Sequence, residues 1–169
     1  MEFLTELQKF DSELWYYFID VPRQVAEHFI NSSGTRVVCT LNESVQFQCA
    51  LMPKGEGEHF INVNKEHRGK LGLHEGDVVA VALAADTSEY GLPMPDELRT
   101  LMDEDPAGDR LFHALTPGKQ RNLLYIAGKV KSSQKRSERA YVILEHLKIH
   151  GGVIDFKALN EEMKAFRRL

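Results

Sequence analysis

Lys119, Arg121, Lys129, Lys131, Lys135, Arg136 and Arg139 stand in one stretch against a single acid, Glu138. Like charges on neighbouring helical turns repel one another unless acids are interspersed, and here acids are almost absent. Lys131, Lys135 and Arg139 recur four residues apart, which lines them along one stripe if the helix starts early enough. The chemistry on offer is electrostatic. A phosphate, a lipid headgroup or an acidic protein partner would be attracted, and released as salt rises. Arg121, Lys129, Lys135 and Arg136 are the residues expected to hold such an anion, against the plainer reading of a solvated face.

Nothing comparable points to catalysis. Glu66, His67 and Asp77 are near one another, and Glu75-Gly76-Asp77 offers paired carboxylates, but both groups sit at a turn. An aspartate in a turn ordinarily serves its own backbone, so no catalytic residue is assigned. His28, His59, His74, His113, His146 and His150 are scattered without ligand spacing, and Cys39 and Cys49 form no CxxC. No metal and no cofactor is therefore expected. Each cysteine follows the apolar alternation of a strand, as a buried reduced thiol does; a redox pair is the alternative. Gly55 to Phe60, GEGEHF, lacks the lysine and the strand-to-helix setting of a phosphate loop. Trp15, Tyr16 and Tyr17 fall in a strand, where aromatics serve core and cross-strand pairing more often than base stacking.

The elements that must position these residues come in two kinds. Up to about residue 83 the period is that of strands, and the segment is duplicated. A gapless shift of 42 positions sets Phe18-Ile19-Asp20-Val21 on Phe60-Ile61-Asn62-Val63, Gly34-Thr35 on Gly76-Asp77, and Val37, Cys39 and Leu41 on Val79, Val81 and Leu83. Each copy is expected to run strand, turn, strand, short helix, strand. The first strand is Glu2 to Lys9 and the second Leu14 to Val21, after a turn at Asp11-Ser12. Pro22 suits a helix start before Arg23 to Phe29. Gly34 and Gly76 suit the positive φ of a sharp helix-to-strand reversal. Two half-sheets, each apolar on one face, imply a pseudo-two-fold split or closed β-barrel in an α+β chain.

From Pro95 the period becomes helical. Pro95 opens one helix, Asp105-Pro106 a second, Thr116-Pro117 a third and Ser132-Ser133 a fourth, with Ala140, Ile143, Leu144 and Leu147 on its stripe. Gly151-Gly152 ends it, and Asp155 caps a last helix. The division expected is a duplicated barrel over 1–88 and a helical appendage over 89–169.

The first part resembles the bacterial barrel family catalogued as domain of unknown function 1905, through WYYFIDVP (Trp15 to Pro22), the run from Phe47 to Arg68, and LGLHEGDVVAVAL (Leu71 to Leu83). The basic helical turn before Gly76-Asp77 also resembles the swapped-hairpin barrels of AbrB-like regulators. The second part is similar to the YdeI/OmpD-associated bacteriocin-protection family, through MPDEL (Met94 to Leu98) and the run from Asp103 to Ser132, up to about residue 150. In the AbrB-like barrels two chains pair, whereas the tandem copies here are expected to complete the barrel within one chain; the resemblances imply no established chemistry and a loose link to envelope stress and antimicrobial-peptide resistance.

Bulk charge ranks the candidates. The net charge is −4; residues 1–88 hold 7 Lys and Arg against 13 Asp and Glu, and the remaining 14 basic and 12 acidic residues leave the second part positive. An acidic start with no apolar run of signal length places the chain in the cytoplasm, with no membrane span. The first reading is thus a non-enzymatic binding module, monomeric or dimeric through its helices, whose basic segment meets an anionic partner. The second is an AbrB-like nucleic-acid-binding regulator, which needs Arg23, Arg36, Lys65, Arg68 and Lys70 to form one patch in an acidic setting. The third is an enzyme working between barrel and helices, for which no residue set stands out.

Overall fold

The computed structural model describes residues 1–11 and 16–166. Leu14 and Trp15, expected at the start of the second strand, and Ser12 of the preceding turn lie outside them. The chain divides into two compact units, one spanning Met1–Thr87 and the other starting at Ser88, each with its own apolar core.

In the first unit the order is β1 (Glu2–Lys9), β2 (Tyr17–Val21), α1 (Arg23–Ser32), β3 (Arg36–Leu41), β4 (Val45–Ala50), β5 (Met52–Gly55), β6 (Glu58–Asn62), α2 (Lys65–Leu71) and β7 (Val78–Ala85). The strands form one antiparallel sheet, β4-β3-β7-β1-β2-β6-β5, curled into a half-barrel. β1 is the strand at which it curls, pairing with β7 over Glu2 to Glu6 and with β2 over Leu7 to Lys9. Alternation decides which side chains go inward: Leu7, Ile19, Val37, Cys39, Leu41, Ile61, Val79 and Val81 are buried, while Leu4 and Val78 face solvent. Val25, Ala26 and Phe29 of α1 join the same core.

The turns form for the reasons their residues suggest. Gly34 and Gly76 adopt φ of +91° and +88°, a region costly for a residue with a Cβ. Asp77 accepts from the His74 amide at 2.7 Å, so its carboxylate is spent on the turn. Glu66 pairs with Lys70, and His67 stacks on Phe47 at 4.0 Å between ring centroids. Burial lowers the pKa of His67. Glu66, His67 and Asp77 are thus occupied separately. Cys39 is fully buried and Cys49 half-buried, both free; its neighbour Cys49 and burial push the Cys39 thiol far up.

Among the described residues the sheet order begins with β4 and ends with β5. In the first copy β1 pairs with β2, Leu7 opposite Ile19; the matching pair in the second copy would be β4 with β6. That pair is made past the buried Leu51, where β4 runs on into β5 and β5 pairs with β6; the Leu51 amide donates to the Thr35 carbonyl as the Leu7 amide does to that of Asp77, 42 positions on. β4 and β5 are thus two halves of one strand bent at Leu51, β4 pairing with β3 and β5 with β6, as β1 bends at Leu7 between β7 and β2.

The second unit is helical: α3 (Asp96–Glu104), α4 (Pro106–His113), α5 (Pro117–Gly128), α6 (Ser133–Ile149) and α7 (Phe156–Phe166). α6 is central, packing against the other four. Asp105 caps α4 through the Gly108 amide at 3.0 Å, and Asp155 caps α7 through the Lys157 and Ala158 amides. Leu98, Phe112, Leu123, Leu124, Ile143, Leu147 and Leu159 form its core. Among the described residues no helix is long and apolar enough to cross a membrane.

Candidate anion-binding cleft

The basic segment does not form one stripe. α6 begins at Ser133, so Lys131 precedes it and cannot continue the line of Lys135 and Arg139. The residue with most partners is Arg136. Its Nε donates to Glu97 Oε2 at 3.0 Å and its Nη2 to Glu97 Oε1 at 2.8 Å. Its Nη1 donates to the carbonyls of Val130 and Lys131 at 3.2 and 2.7 Å. Ser133 Oγ donates to the same glutamate at 2.6 Å. The Arg136 guanidinium, then the Ser133 hydroxyl, hold the Glu97 carboxyl down at about 2, and Glu97 in turn raises Arg136. This two-pronged arginine-carboxylate contact ties the first turn of α3 to the first turn of α6. Arg136 is thus engaged within the helical unit and is not free surface charge.

Lys129 differs. It is the C-cap of α5, where the exposed carbonyl end of a helix favours a cation. Its ammonium lies 5.6 Å from the Tyr125 ring centroid and pairs with no carboxylate among the described residues. Beside it is a cleft of about 380 Å³, walled by Leu92, Pro93, Met94, Pro95, Leu124, Tyr125 and Gly128, with Lys129 and Arg136 supplying its charge. Gly128 lies close to Pro95: a Cβ there would meet the Pro95 ring at 3.4 Å. The cleft brings together two of the four expected anion-binding residues. Arg121, half-buried on α5, and Lys135, exposed on α6, do not line it. Met94, Pro95 and Leu124 are ordinary apolar residues in sequence, and only the fold shows that they form a wall.

The alternative patch is dispersed into local contacts. Arg23 donates to the Glu56 carbonyl at 2.7 Å, Arg68 stacks 3.7 Å from the Tyr17 ring, and Lys70 pairs with Glu66 at 2.8 Å. Lys65 is exposed and Arg36 half-buried. With Arg36 also engaged, at least four of the five cations have partners already.

With this geometry in view, residues 3–83 match the family described as a domain of unknown function, DUF1905. Residues 92–148 match the family described as bacteriocin-protection, YdeI or OmpD-associated. The chain is a DUF1905 domain followed by a YdeI/OmpD-associated region. No curated protein matches it. The half-barrel is the DUF1905 domain, and every residue lining the cleft belongs to the YdeI/OmpD-associated region.

The histidines hold a grouping that the sequence reading missed. His146 and His150 are spaced i, i+4 on α6, and Glu162 of α7 reaches both: His146 Nδ1 lies 2.8 Å from Glu162 Oε2, and His150 Nε2 lies 3.3 Å from Oε1. Scattered histidines without ligand spacing is therefore corrected for this pair. The i, i+4 interval was the available signal; Glu162, on another helix and past the matched region, gave none.

Proposed function

We propose that the YdeI/OmpD-associated region is a non-enzymatic cytosolic binding module that takes a small amphiphilic anion. The apolar body of the ligand lies against Leu92, Met94, Leu124 and Tyr125, and its acidic head, a carboxylate or phosphate, meets Lys129. The observation that carries this reading is the unpaired Lys129 at the side of an apolar cleft of about 380 Å³. Pockets of this size with apolar walls and a few polar groups suit small ligands. Arg136 contributes positive potential while remaining bound to Glu97, so Lys129 is the residue that exchanges water for the ligand. Protection against bacteriocins, the description its family carries, is the setting in which such a module would act. The DUF1905 half-barrel is read as two copies about a pseudo-two-fold axis. Supporting this, Ile19 pairs with Ile61 across β2 and β6, and Thr40 with Ala82 across β3 and β7, each residue opposite its own counterpart 42 positions on.

Calorimetric titration of the full chain with decyl phosphate and with decanol tests the binding reading. Decyl phosphate is expected to bind with an affinity that falls as salt rises, and Lys129→Glu to weaken it at least tenfold while decanol stays weak throughout. Equal binding of decyl phosphate to the parent chain and the variant would sink the proposal.

A further inference from the structure

We propose that His146, His150 and Glu162 form a binding site for one divalent transition-metal ion of the zinc type. The donor atoms of the three side chains lie within 4.8 Å of one another. Donors at about 2.0–2.2 Å from a shared zinc ion stand roughly 3–4 Å apart, so the side chains need to move little. Two imidazoles and a carboxylate suit zinc, copper or nickel, whereas calcium and magnesium require oxygen donors. His146 is 1% exposed and set by its packing, while the side chains of His150 and Glu162 are 34% and 32% exposed. Solvent therefore reaches the ion from the His150 side and supplies the fourth ligand.

The proton balance fixes what binding must change. The Asp155 amide donates to His146 Nε2 at 3.2 Å, so in the ion-free chain the ring proton sits on Nδ1 and is donated to Glu162. A bound ion takes the Nδ1 lone pair. The ring proton then resides on Nε2, by exchange with water, and faces the Asp155 N–H. That hydrogen bond, long for its kind, is given up, and the Asp155 amide turns to solvent. Zinc binding thus replaces the proton bridging α6 and α7 with a metal ion and loosens the first residue before α7.

The test is a titration of the chelator-treated full chain with zinc chloride in a non-coordinating buffer, followed by calorimetry and by the amide spectrum. One equivalent is expected to bind, at least tenfold more weakly in His150→Ala and in Glu162→Gln, with no competition from magnesium. The Asp155 amide is expected to shift and to exchange faster with solvent when zinc is bound. His146→Ala is avoided, since it would empty a buried position; the two chosen side chains are part-exposed, and circular dichroism checks that both variants fold. Absence of saturable binding, unchanged affinity in both variants, or an Asp155 amide that zinc leaves unmoved would overturn the assignment.

Discussion

Glu97 and Arg136 are 39 positions apart in sequence and meet through two parallel hydrogen bonds, which makes the glutamate a reporter of acid stability. Its pKa is lowered from 4.5 to about 2 in the folded chain. A depressed carboxylate contributes stability that is fully present above its unfolded pKa and is lost as pH falls through the folded one. The melting temperature of the helical unit is therefore expected to fall between about pH 4.5 and about pH 2, and this acid limb to flatten in Arg136→Ala. Thermal melts followed at the two pH limits measure it; an identical limb in the variant would show that Glu97 is held by something else. The partnership was invisible in the sequence because a stretch of unrelieved positive charge gives no sign of a glutamate on another helix.

At the scale of elements, caps and turns were the most legible features, because a capping aspartate or a turn glycine acts within a few residues of itself. Asp105, Ser132 and Asp155 cap the helices they precede, and Gly34 and Gly76 take positive φ at equivalent turns. β5 was hidden as a separate strand, since Pro53 and Lys54 carry no strand alternation; it continues β4 past Leu51 and pairs with β6. One glycine has a demand that no local rule gives. A Cβ on Gly108 would stand 2.8 Å from Asp105 Oδ2 and 3.1 Å from Leu144 Cβ, pushing the cap and α6 apart. Gly108→Ala is therefore expected to destabilise the helical unit by about 1–2 kcal/mol, overpacking outweighing alanine's better helix propensity. A urea unfolding midpoint that rises in the variant would refute the close approach.

The whole chain combines a sheet built from distant segments with a bundle built from neighbouring ones. The 42-residue shift was legible because copies keep their apolar positions, whereas the two extra residues that put the second copy's bend at Leu51 were not, because a gapless shift sets Leu7 on Cys49. If the two copies share equivalent surroundings, Ile19→Val and Ile61→Val, both at fully buried and mutually paired positions, should each cost about 0.5–1.5 kcal/mol. The two costs should be closely similar. Chemical denaturation of the two single variants gives the comparison, and a wide disparity would count against a two-fold half-barrel.

The place of β7 in the sheet also sets an order of events during synthesis. Last of the seven strands to be made, it lies between β3 and β1. Until it emerges from the ribosome, the nascent chain can assemble only the β3-β4 hairpin and the β1-β2-β6-β5 ribbon, joined through Leu51. Each leaves a strand edge bare on the side that β7 will fill, where chaperones and stray strands compete for it. A pause in translation before Val78 would prolong that exposure; a pause once Ala85 has cleared the ribosome would find the sheet already joined.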